Sequence, residues 1–151
     1  MTLHLGPTIR ALGVATALGV LSGPATAAVQ YWDMAPDAGI QGGIGTWSTG
    51  GSDTNWSDSA TGTVLSAWTP GNAAWFVPPS NGVASTVTVD TTFNVGSITI
   101  TGNVYTLIVT NGGQILAGTA ASYIGVDSSN STMLITGAGS KWDAGNQTVT
   151  I

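Results

Sequence analysis

Short runs in which apolar and polar residues alternate recur through the second half of the chain. They are Val87-Thr88-Val89, Ser97-Ile98-Thr99-Ile100, Thr106-Leu107-Ile108-Val109, Gln114-Ile115-Leu116, Tyr123-Ile124-Gly125-Val126, Met133-Leu134-Ile135-Thr136 and Thr148-Val149-Thr150-Ile151. They follow one another at roughly eight to eleven residue intervals, the rhythm of consecutive short strands. Val87 and Val89, then Ile98 and Ile100, stand two apart and so share one face of each strand, with Thr on the other. Leu107 and Val109 are expected inward, which leaves Ile108 outward or against a neighbouring element. The gaps hold Thr-Gly-Asn, Thr-Asn-Gly-Gly and Gly-Ala-Gly-Ser, residues that supply positive φ or local side-chain hydrogen bonds.

Each such run has only one apolar side. A turn of this kind cannot fold alone but buries a continuous core when stacked on similar turns. A sandwich with the same strand spacing is the competing architecture. Stacked coils are favoured by the scarcity of charge and by outward positions filled with Thr and Ser.

From Val29 to about Pro79 the pattern changes. Five of the six Trp lie here, at Trp32, Trp47, Trp56, Trp68 and Trp75, among Gly, Ser, Thr and Asn. No 3.6-residue apolar period is visible, and Pro70, Pro78 and Pro79 would interrupt a helix. Short strands joined by turns are expected. Trp32, Trp47, Trp56 and Trp75 are assigned to a cap that closes the first layer of the stack, since burying a large aromatic is worth a few kcal/mol, on the order of ~3. Trp142 stands at an isolated repeat position and is expected to pack against a neighbouring coil. The chain thus divides into residues 1–28, a Trp-rich cap over 29–84 and first coils over 85–151.

The N-terminal segment reads as a secretory signal helix. Arg10 precedes an apolar run from Ala11 to Leu21, and Ala25-Thr26-Ala27 fits a small-x-small cleavage site. The run is too short to span a bilayer. At the other end the sequence stops at Ile151 inside a strand-like run, so truncation of a longer polypeptide is expected, with an open apolar edge prone to self-association.

Without its leader the chain keeps one strong base, Lys141, against seven Asp. Phosphate recognition needs clustered Lys or Arg, so nucleic acid is excluded as a partner, as is a polybasic membrane contact. The absence of Cys removes disulfides, thiolate nucleophiles and Cys-type zinc sites. Asp90, Asp127 and Asp143 sit where Asp initiates turns, and His4 falls in the leader. No catalytic residue, metal ligand or cofactor is therefore assigned. Gly42-Gly43-Ile44-Gly45-Thr46 begins like a calcium-binding nonapeptide but has Trp47 where the Asp belongs. Spaced aromatics could instead stack on sugar rings, which keeps a Trp-based carbohydrate-binding module open.

The ordered set Tyr31-Trp32-Asp33, Gly45-Thr46-Trp47-Ser48, Asn55-Trp56-Ser57, Ala67-Trp68, Gly71-Asn72-Ala73-Ala74-Trp75-Phe76 and Val87-Thr88-Val89 resembles the start of bacterial autotransporter (type V secretion) passenger domains. Asn72 departs from the usual acidic residue, and Trp75 from a smaller apolar one. Asn111-Gly112-Gly113, Tyr123-Ile124-Gly125-Val126-Asp127 and Ile135-Thr136-Gly137-Ala138-Gly139-Ser140-Lys141-Trp142 are similar to a repeat shared by type V secretion and exosortase-sorted (PEP-CTERM) proteins. The resemblance implies an all-β, right-handed parallel β-helix on or released from the bacterial surface. It implies a non-catalytic, adhesin-like stalk, with surface glycans or proteins as partners and a membrane contact only through a missing C-terminal barrel or anchor. The rival functions are a scaffold for a β-helix enzyme, a lyase or protease-bearing passenger with its site downstream, and the carbohydrate-binding module.

Overall fold

The computed structural model describes residues 27–49, 53–102, 105–118, 120–126 and 130–151. The leader expected over 1–28, with Arg10 and His4, lies almost wholly outside the described residues, as does Asp127. Every regular element among them is a strand: β1 (Val29–Trp32), β2 (Gly45–Trp47), β3 (Trp56–Ser57), β4 (Leu65–Ser66), β5 (Ala73–Phe76), β6 (Ser85–Val89), β7 (Thr92–Val95), β8 (Ser97–Thr101), β9 (Tyr105–Val109), β10 (Gln114–Ala117), β11 (Ser122–Val126), β12 (Thr132–Ile135), β13 (Lys141–Asp143) and β14 (Val149–Thr150). The alternating runs of the sequence correspond to β6, β8, β9, β10, β11, β12 and β14. β7 and β13 were not foreseen.

From β5 onward the strands are dealt in turn among three sheets. The first has the order β14-β11-β8-β5-β1-β3-β4, the second β12-β9-β6-β2 and the third β13-β10-β7. Every pairing along these ladders is parallel except β1 with β3 and β3 with β4. The antiparallel pairing of a sandwich is confined to that one corner.

Register turns the alternation into continuous columns. In the first sheet Phe76 pairs with Ile100 and Ile100 with Ile124; in the second, Val87 with Leu107 and Leu107 with Met133. The third adds Phe93, Ile115 and Trp142 in one line. Most of these side chains are fully buried, and Met133 and Trp142 pack half-buried against the same cluster. Full burial of each aliphatic side chain contributes roughly 1.5–3 kcal/mol, so the columns carry most of the stability of a chain without disulfides. Ile108 faces away from the core, half-exposed in the Thr88, Ile108 and Leu134 column.

The corners need backbone that few residues adopt. Asn111 (φ 51°) and Gly112 (φ 81°) turn the chain from β9 to β10, with Gly113 N–H bonded to Thr110 O at 2.7 Å. A side chain on Gly113 would place its Cβ 2.2 Å from Val89 O, so the next rung can sit close only because that position is glycine.

Under β1 the interior turns aromatic. Trp32, Trp47 and Trp56 are buried, and the Trp47 ring lies 4.7 Å from Trp56, 4.8 Å from Trp68 and 4.4 Å from Phe93, stacked on the last at 26°. Three of the four predicted cap tryptophans are therefore interior. Trp75 is the correction: Ala74 and Phe76 point inward, so the strand's period of two turns Trp75 out, where it packs edge-on to Tyr31 at 5.8 Å. Trp68, left out of the predicted cap, is packed against the core.

Candidate functional site

Asp90 is exposed just after β6. Asp143 lies 2.9 Å from Lys141 Nζ and accepts from Gly145 N–H at 2.9 Å; the lysine above all holds its carboxyl below the usual range. Among the described residues no group of three His, Cys, Asp or Glu could hold a metal ion. In the Gly42-Gly43 segment the residue standing in place of the calcium-binding Asp, Trp47, is buried in the core.

Two buried polar clusters escaped the sequence reading. Gln30 is fully buried among apolar columns, yet every polar group it carries is used. The two hydrogens of its Nε2 are shared among Asp58 Oδ1 (2.8 Å), Ser66 Oγ (3.1 Å) and Ala67 O (3.0 Å), while Oε1 accepts from Thr69 N–H (2.8 Å) and Asn72 Nδ2 (3.2 Å). One side chain thus ties β1 to the β3–β4 pair and to the loop before β5. Asp33 is less well served. Its Oδ1 accepts from Gln41 N–H at 3.0 Å and Ala35 N–H at 3.4 Å, whereas Oδ2 is buried without a hydrogen-bond partner. Burial pushes its pKa up against those backbone donors, and Asp37 adds to the rise. Nearby, Ser85 Oγ accepts from Gly43 N–H at 2.9 Å. The Tyr105 phenol, close to Ser85 but without a hydrogen bond of normal geometry, is driven above its ordinary range by burial.

Among the described residues, hollows open at the surface in at least two places. One, about 310 Å³, is lined by Ser48, Thr49, Trp68, Pro70, Phe93 and Asn94 among others. The second, about 420 Å³, lies among Ile124, Met133, Ile135, Trp142 and Ile151, where the last strands leave inward-phase side chains uncovered.

A different arrangement lies on the outer face of the first sheet. Tyr31 is registered with Trp75, Trp75 with Thr99, Thr99 with Tyr123 and Tyr123 with Thr150. Side chains at registered positions point to the same face, so these five form one outward line across five parallel strands. Beside it Thr101 and Val126 are likewise registered. No charged residue stands in either line. Tyr123 is 41% exposed, and Tyr31 and Trp75 are half-exposed. The line offers flat aromatic area and hydroxyls without charge, suited to holding a neutral ligand rather than to transferring protons. The sequence assigned no ligand-binding residue. The signal for Tyr31 and Tyr123 was their alternation with the inward Trp32 and Ile124.

Compared with known proteins, the chain is similar to the adhesin BmaC autotransporter of Brucella suis biovar 1 (strain 1330), with 34% identity over 137 residues. The match covers 86% of this chain and about 4% of the length of that relative. No protein-family model matches the chain. No solved structure matches it either.

Proposed function

We propose that the chain is part of an exported, non-catalytic, adhesin-like autotransporter passenger, its strands wound as a right-handed parallel β-helix that forms a surface stalk. In this reading residues 1–28 are the export leader, residues 29–84 the Trp-rich cap, and residues 85–151 the first coils. The repeat shared with exosortase-sorted proteins falls within those coils. The similarity to an autotransporter adhesin over most of the chain is the observation that carries the reading. The dealing of successive strands to three parallel ladders supports it, because a winding chain returns to each ladder once per turn.

The test is made in the organism that encodes the chain. An epitope tag in the exposed turn at Asn81-Gly82 becomes accessible to antibody on intact cells if the segment is displayed, and deletion of residues 29–151 lowers adherence. A tag reached only after lysis, with adherence unchanged by the deletion, contradicts the reading.

A further inference from the structure

We propose that the outward line of Tyr31, Trp75, Thr99, Tyr123 and Thr150 is a binding site for a neutral glycan with an extended backbone. The inference deepens the adhesin reading and rests on it, naming what the surface would hold.

Neighbouring strands of a sheet lie about 4.8 Å apart, so Trp75 and Tyr123, two strands apart through Thr99, are separated by about 9.6 Å. That separation is close to a disaccharide repeat in an extended β-linked chain. Alternate sugar rings would then meet an aromatic side chain, and the intervening ring would meet the Thr99 hydroxyl. Tyr and Trp supply large rigid contact area with one wet edge, which suits the apolar faces and polar rims of pyranose rings. The edge-on contact of Tyr31 with Trp75, at an interplanar angle of 76°, fixes the indole before any ligand arrives. That lowers the ordering cost of binding. Charge complementarity selects the class. The line carries no Lys or Arg to pair with uronates or sulfates, and the seven Asp of the chain repel polyanions. The remaining polar groups are Thr and Tyr hydroxyls, which match sugar hydroxyls.

The probe is cellohexaose, titrated into the chain and followed by intrinsic Trp fluorescence and calorimetry, with polygalacturonate as the acidic comparison. Saturable cellohexaose binding is expected, weakened about tenfold or more by Tyr123→Thr and by Trp75→Thr and retained by Tyr123→Phe. Tyr123→Thr is the decisive variant, since that exposed position already neighbours Thr in both adjoining strands and the change leaves the core untouched. Absence of binding, binding indifferent to both Thr variants, or preference for polygalacturonate overturns the proposal. If cells displaying the segment adhere normally and lose nothing on Tyr123→Thr while cellohexaose stays inert, the glycan site fails alone. Absence of the segment from the surface removes the adhesin reading itself.

Discussion

Asp33 carries an unresolved electrostatic tension, a buried carboxylate with one oxygen served by backbone donors and the other by nothing. Its folded pKa is raised, so the folded chain holds the proton more tightly than the unfolded chain, whose carboxyl titrates near about 3.9. The contribution of Asp33 to stability is therefore fullest below that pH, falls as pH rises toward the raised folded value, and is level above it. Asp33→Asn keeps an acceptor for Gln41 and removes the charge. It is expected to stabilise at pH 7 by about 1 kcal/mol and to flatten the slope in that window, read from denaturation midpoints between pH 3 and 7. Gln30→Leu tests the opposite case. It orphans Thr69 N–H and cuts the ties to Asp58 and Ser66, and urea unfolding is expected to show a loss of about 3 kcal/mol or more. Neither residue was visible as a site in the sequence, because a buried polar side chain is recognised by its partners and those lie up to 42 residues away. Trp75 was legible in principle. Its neighbours Ala74 and Phe76 set the inward phase, which its bulk obscured.

At the scale of elements, the strands most legible are those with two or more branched apolar residues at alternate positions, such as β6, β8 and β9. β13, Lys141-Trp142-Asp143, has the composition of a turn and becomes a strand only through its registered partners Gln114, Ile115 and Leu116. β7 similarly relies on β10 to hold Phe93 and Val95 inward. The sequence favoured stacked coils over a sandwich, but it did not show which strand pairs with which. Asn111-Gly112 between apolar runs is a hairpin signal in isolation, yet here it passes the chain from the second sheet to the third. The difference is close packing at Gly113, and Gly113→Ala is expected to destabilise by about 2 kcal/mol or more, seen as a lowered thermal midpoint. Leu107→Ala, in the middle of the second sheet's column, is expected to cost about 2–5 kcal/mol, whereas Thr88→Val on the outer face should leave the same midpoint within about 0.5 kcal/mol.

At the scale of the whole chain, the described residues present two unlike faces at either end of the sheets. At one, the antiparallel β3–β4 pair lies beyond β1 and buried tryptophans fill the interior. At the other, Ile135 and Ile151, 43% and 94% exposed, line the second hollow, and Leu134 is 47% exposed on the outer face beside it. Apolar area beside unpaired strand edges invites association between copies. Sedimentation velocity of the chain is expected to show concentration-dependent oligomers that Ile135→Lys with Ile151→Asp disperses; a monomer at every concentration would contradict this. The central claim is that rungs lie one on another, and the lack of native Cys allows it to be tested by oxidation of paired cysteines. Thr88→Cys with Ile108→Cys joins registered positions on neighbouring rungs, at about 4.8 Å between Cα atoms and within disulfide reach. Thr99→Cys with Thr106→Cys joins the positions that a tight hairpin at Gly102-Asn103 would bring opposite each other. Rapid, near-complete crosslinking of the first pair and none of the second is the predicted result. The reverse would mean that consecutive strands pair as hairpins, and the stacked account would be wrong.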